Sequence, residues 1–234
     1  MEDNKENQIK EELKKYEHFD QDTIVEKYNE LAEKYDQTLL DVVGYPDPSK
    51  ICEALKQVGI AKDAPILDFG CGTGLVGKNC KDEGFTNIVG IDASPEMLEK
   101  AKDRGYSELK EVFLGANKFP SELEGKFEVA VSAGVLADGH VSPEIFDEKL
   151  KCLKPIENES DKRYIIFSTM EKYIKNLGYG EKIKQLETDG KIEFEDKITF
   201  TRYHNITDKE TDHTVRFKPA EAFCYIYRVK SVSN

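Results

Sequence analysis

No stretch of this 234-residue chain approaches the roughly 18 consecutive apolar residues that would span a bilayer. The first dozen residues, Met1 to Glu12, are charged where the core of a secretory signal would be apolar. The expectation is a soluble, unsecreted, cytoplasmic protein with no membrane contact. Its five cysteines, Cys52, Cys71, Cys80, Cys152 and Cys224, contain no CxxC pair and make an odd set, which suits neither a disulfide framework nor a zinc site. Reduced thiols are expected. Basic charge is also short: 34 Lys and Arg against 46 Asp and Glu leave a net charge of -12, a surface that repels phosphate backbones. Nucleic acid is therefore a poor partner. No internal repeat is present.

What is present is enough for one core. Apolar residues make up 38% of the chain and charged residues 34%, which at this length excludes a wholly disordered protein and fits one large domain with an added arm. The acidic excess is uneven. Residues 1 to 41 hold thirteen acidic and six basic side chains, a net of -7 and over half of the total. The chain divides into a charged acidic arm (1–22), too charged to add much core, a helical cap (23–60) and a main domain (61–234).

In the cap, Ile24, Tyr28, Leu31, Ala32, Tyr35 and Leu39 follow three- and four-residue spacing, which predicts one helix from Ile24 to Leu40. Asp47 and Pro48 read as N-cap and first position of a second helix. Strands and helices then alternate. Strands are expected at Pro65–Phe69, Asn87–Asp92, Lys110–Leu114, Phe127–Ser132 and Tyr164–Ser168. Helices are expected at Leu75–Glu83, from Ser94 and Pro95 to Arg104, from Ser142 and Pro143 to Leu153, and over Glu171–Glu187. Two late strands, Lys191–His204 and Glu221–Val229, suggest an antiparallel hairpin. The fold class is α/β: a doubly wound, mostly parallel seven-stranded Rossmann-like sheet with an antiparallel C-terminal hairpin and an N-terminal helical cap.

The segment Ile66 to Gly74, ILDFGCGTG, joins the first strand to a helix. Glycines at 70, 72 and 74 let backbone approach a nucleotide-type ligand closely. A dinucleotide fingerprint would need glycine at position 75, where the chain has Leu75, and this weakens a nicotinamide-dependent oxidoreductase reading. The spacing, preceded by Asp68, resembles the first motif of class I S-adenosylmethionine-dependent methyltransferases. ASPEML (Ala93 to Leu98) and GKFEVAVSAGVLADGHV (Gly125 to Val141) extend the likeness. Together they resemble the methyltransferase-like proteins named for the Williams–Beuren critical region, over about residues 28 to 170.

The resemblance implies S-adenosylmethionine as cofactor and assigns residues to it. Asp68, Gly70, Cys71, Gly72 and Gly74 would form the first strand end and turn, and Asp92 would accept hydrogen bonds from both ribose hydroxyls. A strand-end carboxylate that caps the next helix is the alternative for Asp92. Ala93 follows it. Met97 would lie against the adenine, or else belong to the core. Leu114 and Gly115, or the Asn117 amide, would serve the adenine edge, and Ala133 would end the fourth strand. Tyr28 or Tyr35 would close over the cofactor, or else belong to the apolar stripe.

Methyl transfer asks little of the protein beyond positioning and sometimes a base. His140, and after it Asp138, stand where acceptors commonly sit, and histidine is matched to proton transfer near neutral pH. A polar turn without function is the plain alternative. Ser132 to Val135 departs from an N-P-P-Y type motif, which counts against DNA and glutamine-amide acceptors. Too few carboxylates stand nearby for a metal. The expected activity is methyl transfer to a small molecule or a protein side chain. A cofactor-binding subunit without catalysis is the other reading.

Overall fold

A computed structural model describes residues 11–16, 19–115, 119–158, 160–206 and 217–230. Strands β1 (Ile66–Phe69), β2 (Ile88–Asp92), β3 (Glu108–Glu111), β4 (Val129–Ala133) and β5 (Tyr164–Thr169) pair in parallel. Strands β6 (Ile192–Arg202) and β7 (Ala220–Val229) join antiparallel, β7 against β5, to give the order β3-β2-β1-β4-β5-β7-β6. The expected seven-stranded sheet with its antiparallel pair is present.

Alternation along the strands divides the core. Leu67, Phe69, Val89, Ile91, Ala130, Ile165 and Phe167 belong to one buried cluster. Ile66, Ile88, Val129, Val131, Tyr164 and Ile166 belong to the other, under Ile51 and Leu55 of one helix and Val76 and Cys80 of the next. Apolar residues at both parities give the near-continuous hydrophobic strands of a sheet covered on both faces.

The helices are α1 (Ile24–Leu31), α2 (Asp47–Gln57), α3 (Leu75–Asp82), α4 (Pro95–Ala101), α5 (Ile145–Cys152), α6 (Glu171–Asn176) and α7 (Tyr179–Thr188). Several depart from expectation. The cap helix does not run unbroken to Leu40: α1 stops at Leu31, and wider π-type turns over Gln37–Val43 bury Thr38, Leu39 and Val43 before ending at Gly44. Asp47 is not an N-cap. It is the first residue of α2, fully buried, because Arg202 reaches it from the end of β6 with two nitrogens. The single helix expected over Glu171–Glu187 is two, divided at Gly178, whose φ of 79 lies in the left-handed region. Strand β3 begins two residues early and ends at Glu111. Its ELKE sequence is partly exposed at a sheet edge, so no apolar pattern marked it.

The acidic arm adds more core than its charge implies. Residues 11–14 are helical, and Leu13 and Tyr16 are buried in the same cluster as Leu67 and Phe69. Residues 1–10 of the arm and most of the late loop 205–219 lie outside the described residues.

Candidate active site

Strand order reverses between β1 and β4, and in open α/β sheets such a switch point leaves a crevice beyond the carboxyl ends of the strands. The turn after β1 is stapled to β2: the Gly70 and Cys71 N–H groups both donate to the Ile91 carbonyl, at 2.8 and 3.0 Å. At Gly72, φ is +53 and a Cβ would project into open space, so the turn offers bare backbone there. Gly74 has a different reason to be glycine. A Cβ on it would stand 3.0 Å from the Ala101 backbone, so it permits α3 and α4 to approach.

Asp92 closes β2. Its Oδ2 accepts the Gly72 N–H at 2.8 Å and its Oδ1 accepts the Ser94 N–H at 2.9 Å. Burial pushes its carboxyl above the usual range, against the pull of these donors. Ser94 then caps α4 by accepting the Met97 N–H at 3.1 Å, and its hydroxyl donates to Asn29 of α1 at 2.5 Å.

That last bond is one of several that hold the cap across the turn. Thr73 donates to Asp36 at 2.5 Å, Arg104 pairs with Asp36, and Lys100 pairs with Glu33. A half-open cleft of about 100 Å³ lies between cap and sheet. Gly70, Gly72, Asp92 and Ala93 border it from the first two strands, Met97 and Leu114 from beyond them, and Ala133 from β4. Tyr28 and Tyr35 border it from the cap, and His140 from the loop after β4.

Five of the expected residues lie off this cleft. Asp68 is buried beneath it, one carboxylate oxygen accepting the Tyr106 hydroxyl at 2.7 Å. Burial pushes that carboxyl up to about 7 and brings the nearby buried Lys149 ammonium down to about 7. The Cys71 sulfur turns toward Gly90, 2.9 Å from where a Cβ would stand. Gly74 serves packing. Both backbone groups of Gly115 are committed elsewhere: its N–H donates to the Glu148 carboxylate at 3.0 and 3.1 Å, and its carbonyl accepts from Ser142 at 3.1 Å. Asp138 borders a separate, open depression, and its carbonyl touches His140. Asn117 lies outside the described residues.

His140 is buried and its tautomer is set by its neighbours. Nδ1 stands 2.7 Å from the Asp138 carbonyl, which can only accept, so Nδ1 carries the proton. Nε2 stands 2.8 Å from the Tyr28 hydroxyl, which donates to it when the ring is neutral. The arrangement can receive a proton at Nε2, from or through Tyr28.

A methyltransferase-domain family matches residues 16–203, most of the chain. The chain belongs to this family. Human methyltransferase-like protein 27 is 37% identical over 147 residues, 58% of this chain and 59% of that protein. The ubiquinone/menaquinone biosynthesis C-methyltransferase UbiE of Campylobacter jejuni is 27% identical over 124 residues, 49% and 52% of the two chains. The chain thus matches a little over half the length of these relatives. An 18S rRNA (guanine-N(7))-methyltransferase of Bos taurus matches over 53 residues, at 51% identity and 18% of its length. Among solved structures, magnesium protoporphyrin IX methyltransferase from Synechocystis, with bound S-adenosylhomocysteine, superposes with a TM-score of 0.59 over 90% of this chain and 99% of that one, at 13% identity. That likeness carries the fold.

Part of the cleft carries no sequence motif. Ile24, Val25, Ser94 and Phe113 border it. Phe113 is 47% exposed, one of few large apolar side chains on the surface among the described residues. Its signal is an aromatic residue just past the end of β3, which stops at Glu111 and not at the expected Leu114.

Proposed function

We propose that the chain is an S-adenosylmethionine-dependent methyltransferase that binds its cofactor in the cleft between cap and sheet and transfers methyl to a small molecule or a protein side chain. One observation carries the reading. The Asp92 carboxylate borders the cleft with each oxygen already held from behind by a backbone N–H, across from the open space at Gly72. A carboxylate so fixed keeps lone pairs for a vicinal diol, and the missing Cβ leaves room for a ligand against the turn.

The residues present fit the cofactor. Asp92 would hold its ribose hydroxyls, and Met97, Phe113 and Leu114 would offer apolar surface to its adenine. Tyr28 and Tyr35 border the site from the cap, where they would shield the bound cofactor from water. When bound, the cofactor supplies an electrophilic methyl group on a sulfonium that leaves as a thioether. His140 holds its imidazole ready to accept a proton at Nε2, and the Asp138 carbonyl fixes the tautomer.

Calorimetry with S-adenosylhomocysteine tests the reading. Micromolar binding by the full chain is expected, abolished by Gly72→Arg, whose side chain would fill the open space. Absence of both heat and thermal shift at millimolar ligand would overturn the assignment.

A further inference from the structure

Helix α2 follows the cap, helix α3 follows the glycine turn, and the two pack against each other on the face of the sheet away from the cleft. Each brings one cysteine to the contact. Cys52 and Cys80 belong to the same buried cluster, 3% and 0% exposed, and their side chains meet thiol to thiol. The Cys52 Sγ also stands 3.7 Å from the carbonyl oxygen of Asn79, the residue before Cys80. The remaining cysteines sit on other elements: Cys71 in the turn after β1, Cys152 at the end of α5 and Cys224 on β7. Burial holds each of those three thiols above its usual range.

The paired thiols are unequal. Contact with the Cys80 thiol holds the Cys52 thiol below its usual range, and Lys56 and Lys62 add to that pull against burial and Glu83. The same contact, with burial, pushes the Cys80 thiol up. A thiolate therefore forms first at Cys52, beside a protonated Cys80, which is the arrangement in which one cysteine reacts and its neighbour resolves. Lys56 lies one helical turn beyond Cys52 and pairs at 2.8 Å with Glu83 at the end of α3, both half-exposed. Local opening at this end of α2 admits a small solute to Cys52 without unfolding the sheet.

We propose that Cys52 and Cys80 are a peroxide-reactive dithiol that closes to an intrachain disulfide between α2 and α3. The Cys52 thiolate attacks one oxygen of a hydroperoxide and the O–O bond breaks. Cys52 becomes a sulfenic acid, and the departing oxygen takes up the proton that Cys52 released. The Cys80 sulfur then displaces the sulfenic oxygen, which leaves as water with the Cys80 proton. Two thiols lose two electrons in all, and the hydroperoxide is reduced to an alcohol and water, or to two waters where it is hydrogen peroxide. The bond closes a covalent ring over residues 52–80, which holds β1 and the turn from Gly70 to Gly74.

The test exposes the folded full chain to excess hydrogen peroxide and maps its thiols by mass spectrometry. A monomer lighter by two hydrogen atoms is expected, with Cys52 and Cys80 in one cross-linked peptide and the other three cysteines open to alkylation once the chain is unfolded. Closing a ring of this length should raise Tm by about 5 °C or more, and dithiothreitol should reverse the rise. In Cys80→Ser the resolving thiol is gone, so Cys52 should stop at the sulfenic acid and take up dimedone. Oxidation of Cys71, Cys152 or Cys224 ahead of the pair would overturn the proposal, because it would mark general unfolding. A disulfide between two copies of the chain would overturn it as well, as would five thiols that survive peroxide in the folded wild type, whatever the behaviour of the variant.

Discussion

Replacing Asp92 with alanine separates binding from stability. Each ribose hydroxyl donated to the carboxylate is a charge-assisted bond worth about 1.5 to 3 kcal/mol, so losing two weakens S-adenosylhomocysteine by about 3 to 6 kcal/mol, or roughly 150- to 20,000-fold in Kd. The folded chain loses less. Asp92→Ala leaves the Gly72 and Ser94 N–H groups without their acceptor, but Asp92 borders the cleft, from which water can reach both. Removing a carboxyl that burial holds above its usual range also returns its desolvation cost. The two effects nearly offset, leaving about 1 kcal/mol of destabilisation, a Tm fall of roughly 2 to 4 °C for a chain of this size. Titration calorimetry and thermal unfolding without ligand read the two quantities separately. Wild-type affinity in Asp92→Ala would refute the ribose role. A Tm loss beyond about 10 °C would instead make Asp92 a structural cap of the β2 end.

Asp68→Asn should raise Tm with a pH signature. The folded carboxyl holds its proton to about pH 7 while the unfolded one loses it near 4, so stability is fully present below pH 4 and lost as pH rises through 7. The variant should match wild type near pH 4 and gain up to about 4 kcal/mol at pH 8; an equal gain at both pH values would count against the buried-carboxyl account. Asp36→Ala removes the acceptor shared by Thr73 and Arg104 and should speed amide exchange over residues 24–31 roughly tenfold, the pair being half-exposed and worth about 1 kcal/mol. Cofactor should protect the same residues in wild type, and equal protection with and without it would remove the idea of a mobile cap. Asp47→Ala strands a buried guanidinium and should cost about 3 to 5 kcal/mol, seen as a fall in denaturant midpoint.

Much of the site was legible because its parts are local. Gly70, Gly72 and Asp92 each read as a strand end or turn within a few residues of their own sequence, and all three border the cleft. Phe113 was not legible, since the edge strand before it has a polar ELKE sequence that gives no alternation to bound it. Gly115, expected at the adenine edge with Leu114, lies off the cleft with its backbone groups occupied by Ser142 and Glu148, residues far along the chain.

The sequence by itself determined the order of strands and helices, the glycine turn and the acidic strand end. Apolar periodicity and turn chemistry act over a handful of residues, so they are readable without the fold. Tertiary structure decided which groups meet. Tyr28 and His140 are 112 positions apart and Asp47 and Arg202 155 apart, yet one pair joins the cap to the loop after β4 and the other buries an ion pair between α2 and the end of β6. Neither pairing leaves a local trace. Each exists because the cap folds back over the carboxyl ends of the strands, where burial replaces water with the only polar partners within reach.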